Sequence, residues 1–304
     1  MKVAALDLGS NSFLCLIVEG DKSGIKTVIS DQVKVVRLGQ GVGQSGVFHP
    51  DALARARQCL TEFKKTIDDH KVDRILAMAT SAARDARNGS ELFKIGSDLG
   101  IPIEIIPGTD EARITFGGAT EGELHGDENI LVIDVGGGST EIIIGDKRDI
   151  HFSKSIDIGA VRLTERFISA QPISQSERIA AENYIDQKIA SIRPSVMKHK
   201  IENILSVAGT PSALAAAMLG KFDPKKVQGF VLTQSQLKDW CDLFANTSVQ
   251  EKIDKHHIES GRADVIFIGT TILHRFLVQT NQQSMKVSIK GVRYGVALEA
   301  LSRG

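Results

Sequence analysis

The chain has 304 residues, 42% of them hydrophobic and 24% charged, with thirty-seven basic side chains balancing thirty-seven acidic ones. That length suits two domains, each with its own core, and the balance leaves no global field to draw nucleic acid or an anionic membrane. Neither partner is expected, and a polyanionic ligand would have to be held by a local site. Cys15, Cys59 and Cys241 lie far apart in the chain, a spacing that excludes a disulfide framework or a zinc site and fits a reducing cytosol. A carboxylate at Asp7 precedes any apolar signal region, and no apolar run approaches the ~18 residues of a membrane span. A cytoplasmic protein is expected.

In chain order, "KVAALDLG" reads as a buried strand and "SFLCLIVEG" as a second one after a tight turn. "GIKTVISDQVKVVRLG" continues the strand-rich opening until His49-Pro50. "DALARARQCLTEFKKTIDDH" then spaces its apolar residues three and four apart, predicting an amphipathic helix with Asp51 near its start and with Leu60 and Phe63 in the core. "VDRILAMATSA" and "IPIEIIPG" are strands separated by a helix, and "TDEARITFGGATEG" is predicted helical with Thr109 as N-cap. A second strand-rich block follows, "NILVIDVGGGSTEIIIGD" and "IHFSKSIDIGAVRLTERF". After it come a long helix from "SERIAAENYIDQKIASIRPSV", a strand from "ILSVAG", and helices to the end, with Leu232 and Trp240 as packing positions. The pattern is α/β, run through once and repeated in a longer copy. A hinge is placed at residues 113–126, rich in glycine and acid.

Each half contains a strand ending in Asp, a small-residue loop and a second strand: "DLGSNSFLCLIVEG" from Asp7 and "DVGGGSTEIIIG" from Asp134. Such a loop lets backbone N–H groups approach a phosphate, hydroxyls add donors, and the strand-end Asp suits Mg²⁺. The alternative is a pair of plain hairpin turns. No G-x-x-x-x-G-K-[ST] stretch occurs, and a strand rather than a helix follows each loop, so P-loop and Rossmann readings fail.

The pair "DLGSNSF" and "DVGGGSTE" resembles the two phosphate loops of the actin, hsp70 and sugar-kinase superfamily. "VVRLGQGVGQSGVF", "ATSAARDARNG", "PIEIIPGTDEAR", "SVAGTPSALAA", "RADVIFIGTTIL" and "GVRYGVALE" narrow the resemblance to the exopolyphosphatase and guanosine pentaphosphate phosphatase family, over residues 3 to about 299. The resemblance implies two ribonuclease-H-like (actin-like ATPase) domains with an interdomain cleft, residues 1–116 plus about 288–304 and residues 117–287. Longer members carry a C-terminal helical domain, so the short two-domain form is expected here. A homodimer is suggested by the resemblance alone.

The resemblance also supplies roles. Glu111 matches the family's catalytic glutamate, which activates the attacking water. By itself it reads more readily as a first-turn acid complementing a helix N-terminus than as a general base. Asp134 matches the acid that positions Mg²⁺, and Asp7 is its counterpart; each could instead bond turn amides. Glu141 matches a carboxylate orienting water or metal, or is an outward polar residue of an alternating strand. Arg84 matches an arginine facing the phosphate chain, where a guanidinium offers bidentate donors. Ser10, Asn11, Ser12, Gly137, Gly138 and Ser139 are the phosphate-cradling positions. Arg262 matches a recurrent arginine of open role, Ala208 stands where glycine is common, and His256-His257 is read as surface.

The expected activity is Mg²⁺-dependent hydrolysis of a terminal phosphoanhydride, releasing orthophosphate from inorganic polyphosphate, guanosine pentaphosphate or both. An ATP-dependent kinase on the same fold is the first rival, opposed by "DEAR" and the weak adenosine stretch. A non-catalytic polyphosphate or alarmone sensor is the second, opposed by the retention of Glu111, Asp134 and Glu141.

Overall fold

The computed structural model describes residues 1–123 and 128–303. The first stretch holds strands β1 (Lys2–Leu8), β2 (Ser12–Asp21) and β3 (Gly24–Val35), helices α1 (Val42–Ser45) and α2 (Pro50–Asp69), strand β4 (Arg74–Ala79), helices α3 (Ser81–Asp85) and α4 (Gly89–Asp98), strand β5 (Ile103–Ile105) and helix α5 (Gly108–Ala119). Then come β6 (Ile130–Val135), β7 (Thr140–Gly145), β8 (Ile150–Ile156), α6 (Ala160–Phe167), α7 (Gln175–Val196), β9 (Asn203–Val207), α8 (Gly209–Leu219) and α9 (Pro224–Val227). The chain continues through β10 (Val231–Thr233), α10 (Gln234–Ala245), α11 (Val249–His256), α12 (Ile266–Gln279) and β11 (Ser284–Val287) to α13 (Val292–Ser302). Two compact units divide it: Met1–Glu121 with Lys290–Gly304, and Gly122–Ile289. Of the stretch read as a hinge, residues 113–119 are the end of α5, and residues 124–127 lie outside the described residues.

In the first unit the sheet order is β3-β2-β1-β4-β5. The pairs β1/β2 and β2/β3 are antiparallel, and β1/β4 and β4/β5 are parallel. Period-2 alternation sends Leu6, Leu8, Phe13 and Cys15 to one face, where they meet Leu60, Phe63 and Leu92 of α2 and α4. Val3, Ala5, Leu16 and Val18 go to the other, under Ile114 of α5 and Val296 and Ala300 of α13. Helix α2 forms as its spacing predicts: His49 caps it by accepting from the Asp51 N–H, Pro50 occupies the first turn, and Leu53, Ala56, Leu60, Phe63 and Ile67 are buried.

The second sheet runs β10-β11-β9-β6-β7-β8. Without the edge strand β10, its order and directions repeat those of the first unit: on one side of β6 the antiparallel pairs β6/β7 and β7/β8, and on the other parallel β9 and β11. This is the ribonuclease-H-like arrangement, present twice. Leu131, Ile133, Ile142 and Ile144 pack with Ile185 and Ile189 of α7 and Leu273 and Phe276 of α12. Helix α7 begins with a capping box between Ser174 and Glu177.

Two sequence expectations need correction. The tail after β9 is not helical throughout, because β10 and β11 lie within it; at three and four residues they are too short for alternation to show. Thr109 is not the N-cap of α5. The helix starts at Gly108, and the Pro107 carbonyl accepts from the Asp110 and Glu111 N–H groups, at 3.0 and 2.9 Å.

Candidate active site

The two Asp corners share one hydrogen-bonded frame. In the first, the Gly9 N–H donates to the Ser12 carbonyl at 3.1 Å; in the second, the Gly136 N–H donates to the Ser139 carbonyl at 2.9 Å. The segment after the third strand of each unit then fastens the loop from behind. Val36 and Arg37 N–H groups donate to the Asn11 carbonyl at 2.9 and 2.8 Å, and the Gly39 N–H donates to the Ser10 carbonyl at 2.8 Å. In the second unit the Ala160 N–H donates to the Gly136 carbonyl at 2.9 Å, and the Val161 and Arg162 N–H groups donate to the Gly137 carbonyl at 2.9 and 3.0 Å. The Arg162 side chain completes the set, its Nε donating to the Gly138 carbonyl at 2.7 Å.

This fastening has a stereochemical consequence. In a planar trans peptide the C=O and the following N–H point in opposite directions. Carbonyls of Gly136, Gly137 and Gly138 turned toward α6 therefore turn the N–H groups of Gly137, Gly138 and Ser139 away from it. None of the three finds an acceptor among the described residues. Successive outward amides of this kind form an anion-binding concavity. Gly159 permits the close backing, since a Cβ there would lie 2.4 Å from the Gly137 carbonyl oxygen.

Beside this loop, Asp134 and Glu141 are direct cross-strand partners of β6 and β7, which puts both carboxylates on one face. Both are buried, and Glu141 Oε1 accepts from Ser155 Oγ on β8 at 2.7 Å. At the matching place in the first unit Asp7 pairs with Leu14, so that corner has one carboxylate where the second has two. No group of three or more His, Cys, Asp or Glu suited to a metal occurs among the described residues. Two buried carboxylates next to an amide-lined loop nevertheless fit Mg²⁺, which is commonly held by one or two carboxylates together with waters and substrate phosphates.

In the first unit the chemistry gathers at Glu111, in the first turn of α5. Asp110 beside it is exposed, whereas Glu111 is only 6% exposed. Its Oε2 accepts from Arg84 Nη1 at 2.6 Å, and the same Nη1 donates to the Ile106 carbonyl at 2.8 Å. Burial raises the Glu111 carboxyl above its usual range, against the pull of the Arg84 charge. Asp7, on the sheet face covered by α5 and α13, is raised to about 7 by burial first and by Glu111 second, with Arg293 opposing. Ser10 is buried and shares a 3.1 Å hydroxyl contact with Ser81 of α3. Asn11 Nδ2 donates to Ser12 Oγ at 3.4 Å, a long bond.

The structure thus groups Glu111, Arg84, Asp7 and Ser10–Ser12 in the first unit, and Asp134, Glu141 and Gly137–Ser139 in the second. Arg262 lies against Gly209 at the start of α8, so close that a Cβ on Gly209 would sit 1.8 Å from its Nη1. Ala208, just before it, has φ 75° and ψ −167°, a conformation strained for any residue but glycine. His256 stacks edge-on against Trp240, with ring centroids 5.8 Å apart, while His257 is exposed. The sequence reading missed Ser81, Ser155, Gly159 and Arg162. A signal for Arg162 was present: Val36-Arg37-Leu38 and Val161-Arg162-Leu163 repeat Val-Arg-Leu after the third strand of each copy.

A duplicated sheet carrying an acidic corner in each copy is the actin-like ATPase fold. Comparison with known proteins narrows that class. The model of the Ppx/GppA phosphatase family matches residues 16–303, and the chain belongs to that family. It is 32% identical to exopolyphosphatase 2 of Mycobacterium tuberculosis, over 98% of each chain. It is 31% identical to guanosine-5'-triphosphate,3'-diphosphate pyrophosphatase of Photobacterium profundum, over 99% of this chain and 59% of that one. Among solved structures, an exopolyphosphatase from Cytophaga hutchinsonii aligns with a TM-score of 0.91 at 25% identity, covering 100% of this chain and 98% of the other. The Aquifex aeolicus family member aligns with a TM-score of 0.82 at 30% identity, covering 100% and 98%.

Proposed function

We propose that the protein is a Mg²⁺-dependent hydrolase that removes the terminal orthophosphate from inorganic polyphosphate, from guanosine pentaphosphate, or from both. The observation that carries this reading is the buried Glu111 carboxylate held on Arg84. A carboxylate whose proton affinity is raised by burial is a better base at neutral pH than an exposed one. Glu111 takes a proton from water as the water oxygen attacks the terminal phosphorus. The bridging P–O bond breaks, and the electron pair leaves with the shortened chain. In the first unit Arg84 and the Ser10–Ser12 loop offer donors to phosphate oxygens; in the second, the N–H groups of Gly137, Gly138 and Ser139 form a phosphate cradle of their own. Asp134 and Glu141 would hold Mg²⁺, with Asp7 the counterpart of Asp134 in the other copy; a bound ion would supply charge neutralisation to phosphate oxygens. Phosphoryl transfer needs chiefly this positioning and charge support.

The test gives purified protein polyphosphates of defined length, guanosine pentaphosphate, and ATP with a panel of sugars. Release of orthophosphate from either of the first two is expected, with kcat in Glu111→Gln lowered at least ~10²-fold, the scale of a lost general base. Sugar phosphorylation without such release would establish the kinase instead, and binding without turnover a sensor.

A further inference from the structure

Arg162 has no part in the chemistry just described, yet it grips the phosphate loop from behind. The two corners, otherwise matched, differ in how one peptide is held. Four residues after the strand-end Asp, the Asn11 carbonyl of the first unit accepts two backbone N–H groups, from Val36 and Arg37. The corresponding Gly138 carbonyl of the second unit is held by a side chain, Arg162 Nε at 2.7 Å. Backbone from α6 fixes the Gly136 and Gly137 carbonyls regardless of which side chain residue 162 carries. The direction of the Gly138–Ser139 peptide, and so of the Ser139 N–H, depends on Arg162.

We propose that Arg162 is a positioning residue for phosphate binding: it holds the Gly138 carbonyl toward α6 and thereby aims the Ser139 N–H outward, in line with those of Gly137 and Gly138. The inference rests on the reading of this loop as a phosphate cradle. Without the guanidinium, the Gly138–Ser139 peptide is free to rotate, because glycine on its N-terminal side imposes little barrier. Rotation would replace a donor facing the anion by a carbonyl oxygen that repels it. A hydrogen bond to a charged group is worth more than a neutral one, so the loss of one such donor weakens phosphate binding about tenfold to a hundredfold.

The test compares the full-length wild type with Arg162→Ala, Arg162→Gln and Arg162→Lys. Tripolyphosphate binding is measured by calorimetry, and orthophosphate release from the same compound gives KM and kcat. Arg162→Ala is expected to raise Kd and KM together about tenfold or more, with a smaller change in kcat. Arg162→Lys recovers part of the loss, and added methylguanidinium restores affinity to Arg162→Ala but not to the wild type. If Arg162 serves only to anchor α6, the alanine variant loses thermal stability while Kd and KM stay at wild-type values in the folded protein, and the proposal falls. Arg162→Gln, which keeps an N–H donor and most of the packing, separates the cases should the alanine variant fold poorly: unchanged Kd beside a lowered Tm overturns positioning, whereas raised Kd at unchanged Tm supports it. A wild type that neither binds nor cleaves tripolyphosphate or guanosine pentaphosphate would instead remove the underlying phosphate reading.

Discussion

At the scale of single residues, burial separates two side chains of similar chemistry. Asp110 and Glu111 are adjacent acids in the first turn of α5, and sequence treats them alike. The fold leaves Asp110 in solvent and buries Glu111 against Arg84. Asp7 shows the cost of such burial. Its carboxyl is raised from 3.8 to about 7, so the folded protein keeps a proton that the unfolded chain has already lost. The stability contributed by the neutral acid is complete below the unfolded value and is lost as pH rises through about 7. Asp7→Asn, which needs no deprotonation, should therefore raise Tm relative to wild type by roughly several degrees at about pH 8, and hardly at all near pH 4, in the presence of a chelator. The same Tm difference at both pH values would show that Asp7 is not raised. Ser81 and Ser155 had no signal in the sequence, because each acts through one hydrogen bond that only the fold creates, Ser81 with Ser10 far away in the chain and Ser155 with Glu141 across the β7/β8 pair.

At the scale of elements, α5 is placed by α13 with almost no space between their backbones. A Cβ on Gly118 would lie 2.1 Å from the Gly291 carbonyl oxygen, and one on Gly295 would lie 1.9 Å from that of Ile114. On the neighbouring Gly117 a Cβ would meet nothing within 4 Å. Gly118→Ala should cost about 3 kcal/mol or more in a denaturant titration, because backbone must move to admit the methyl. It should also lower kcat, since α5 carries Glu111. Gly117→Ala in the same helix should be neutral or stabilising by up to ~1 kcal/mol. Equal effects of the two would mean that the helices are not in this contact. Helices of this length were legible because periodicity accumulates over many residues, as in α2 and α7. The short strands β10 and β11 were not, and neither was the start of α5, where the Pro107 carbonyl receives the first amides.

At the scale of the whole molecule, the repeat was legible because both corners keep the same local chemistry, Asp followed by small residues and then a strand. What the repeat conceals is how far the copies have diverged. The residue seven places after Asp134 is Glu141, its cross-strand partner; seven places after Asp7 stands Leu14, in the same partnership. The Asp7 corner thus carries one carboxylate, raised by burial and by Glu111, whereas the Asp134 corner carries the pair of carboxylates that a hard cation would need. The requirement for Mg²⁺ should accordingly rest on the second copy. Asp134→Asn and Glu141→Gln are each expected to raise the Mg²⁺ concentration for half-maximal orthophosphate release about tenfold or more, because a neutral amide is a poorer ligand for a hard cation. Asp7→Asn should shift that midpoint far less. The three titrations are run on one substrate at saturating concentration, so that a changed midpoint reports the metal and not the phosphate. A midpoint unmoved in Asp134→Asn, or moved as far in Asp7→Asn, would place the ion elsewhere and leave the divergence between Glu141 and Leu14 without a role in catalysis.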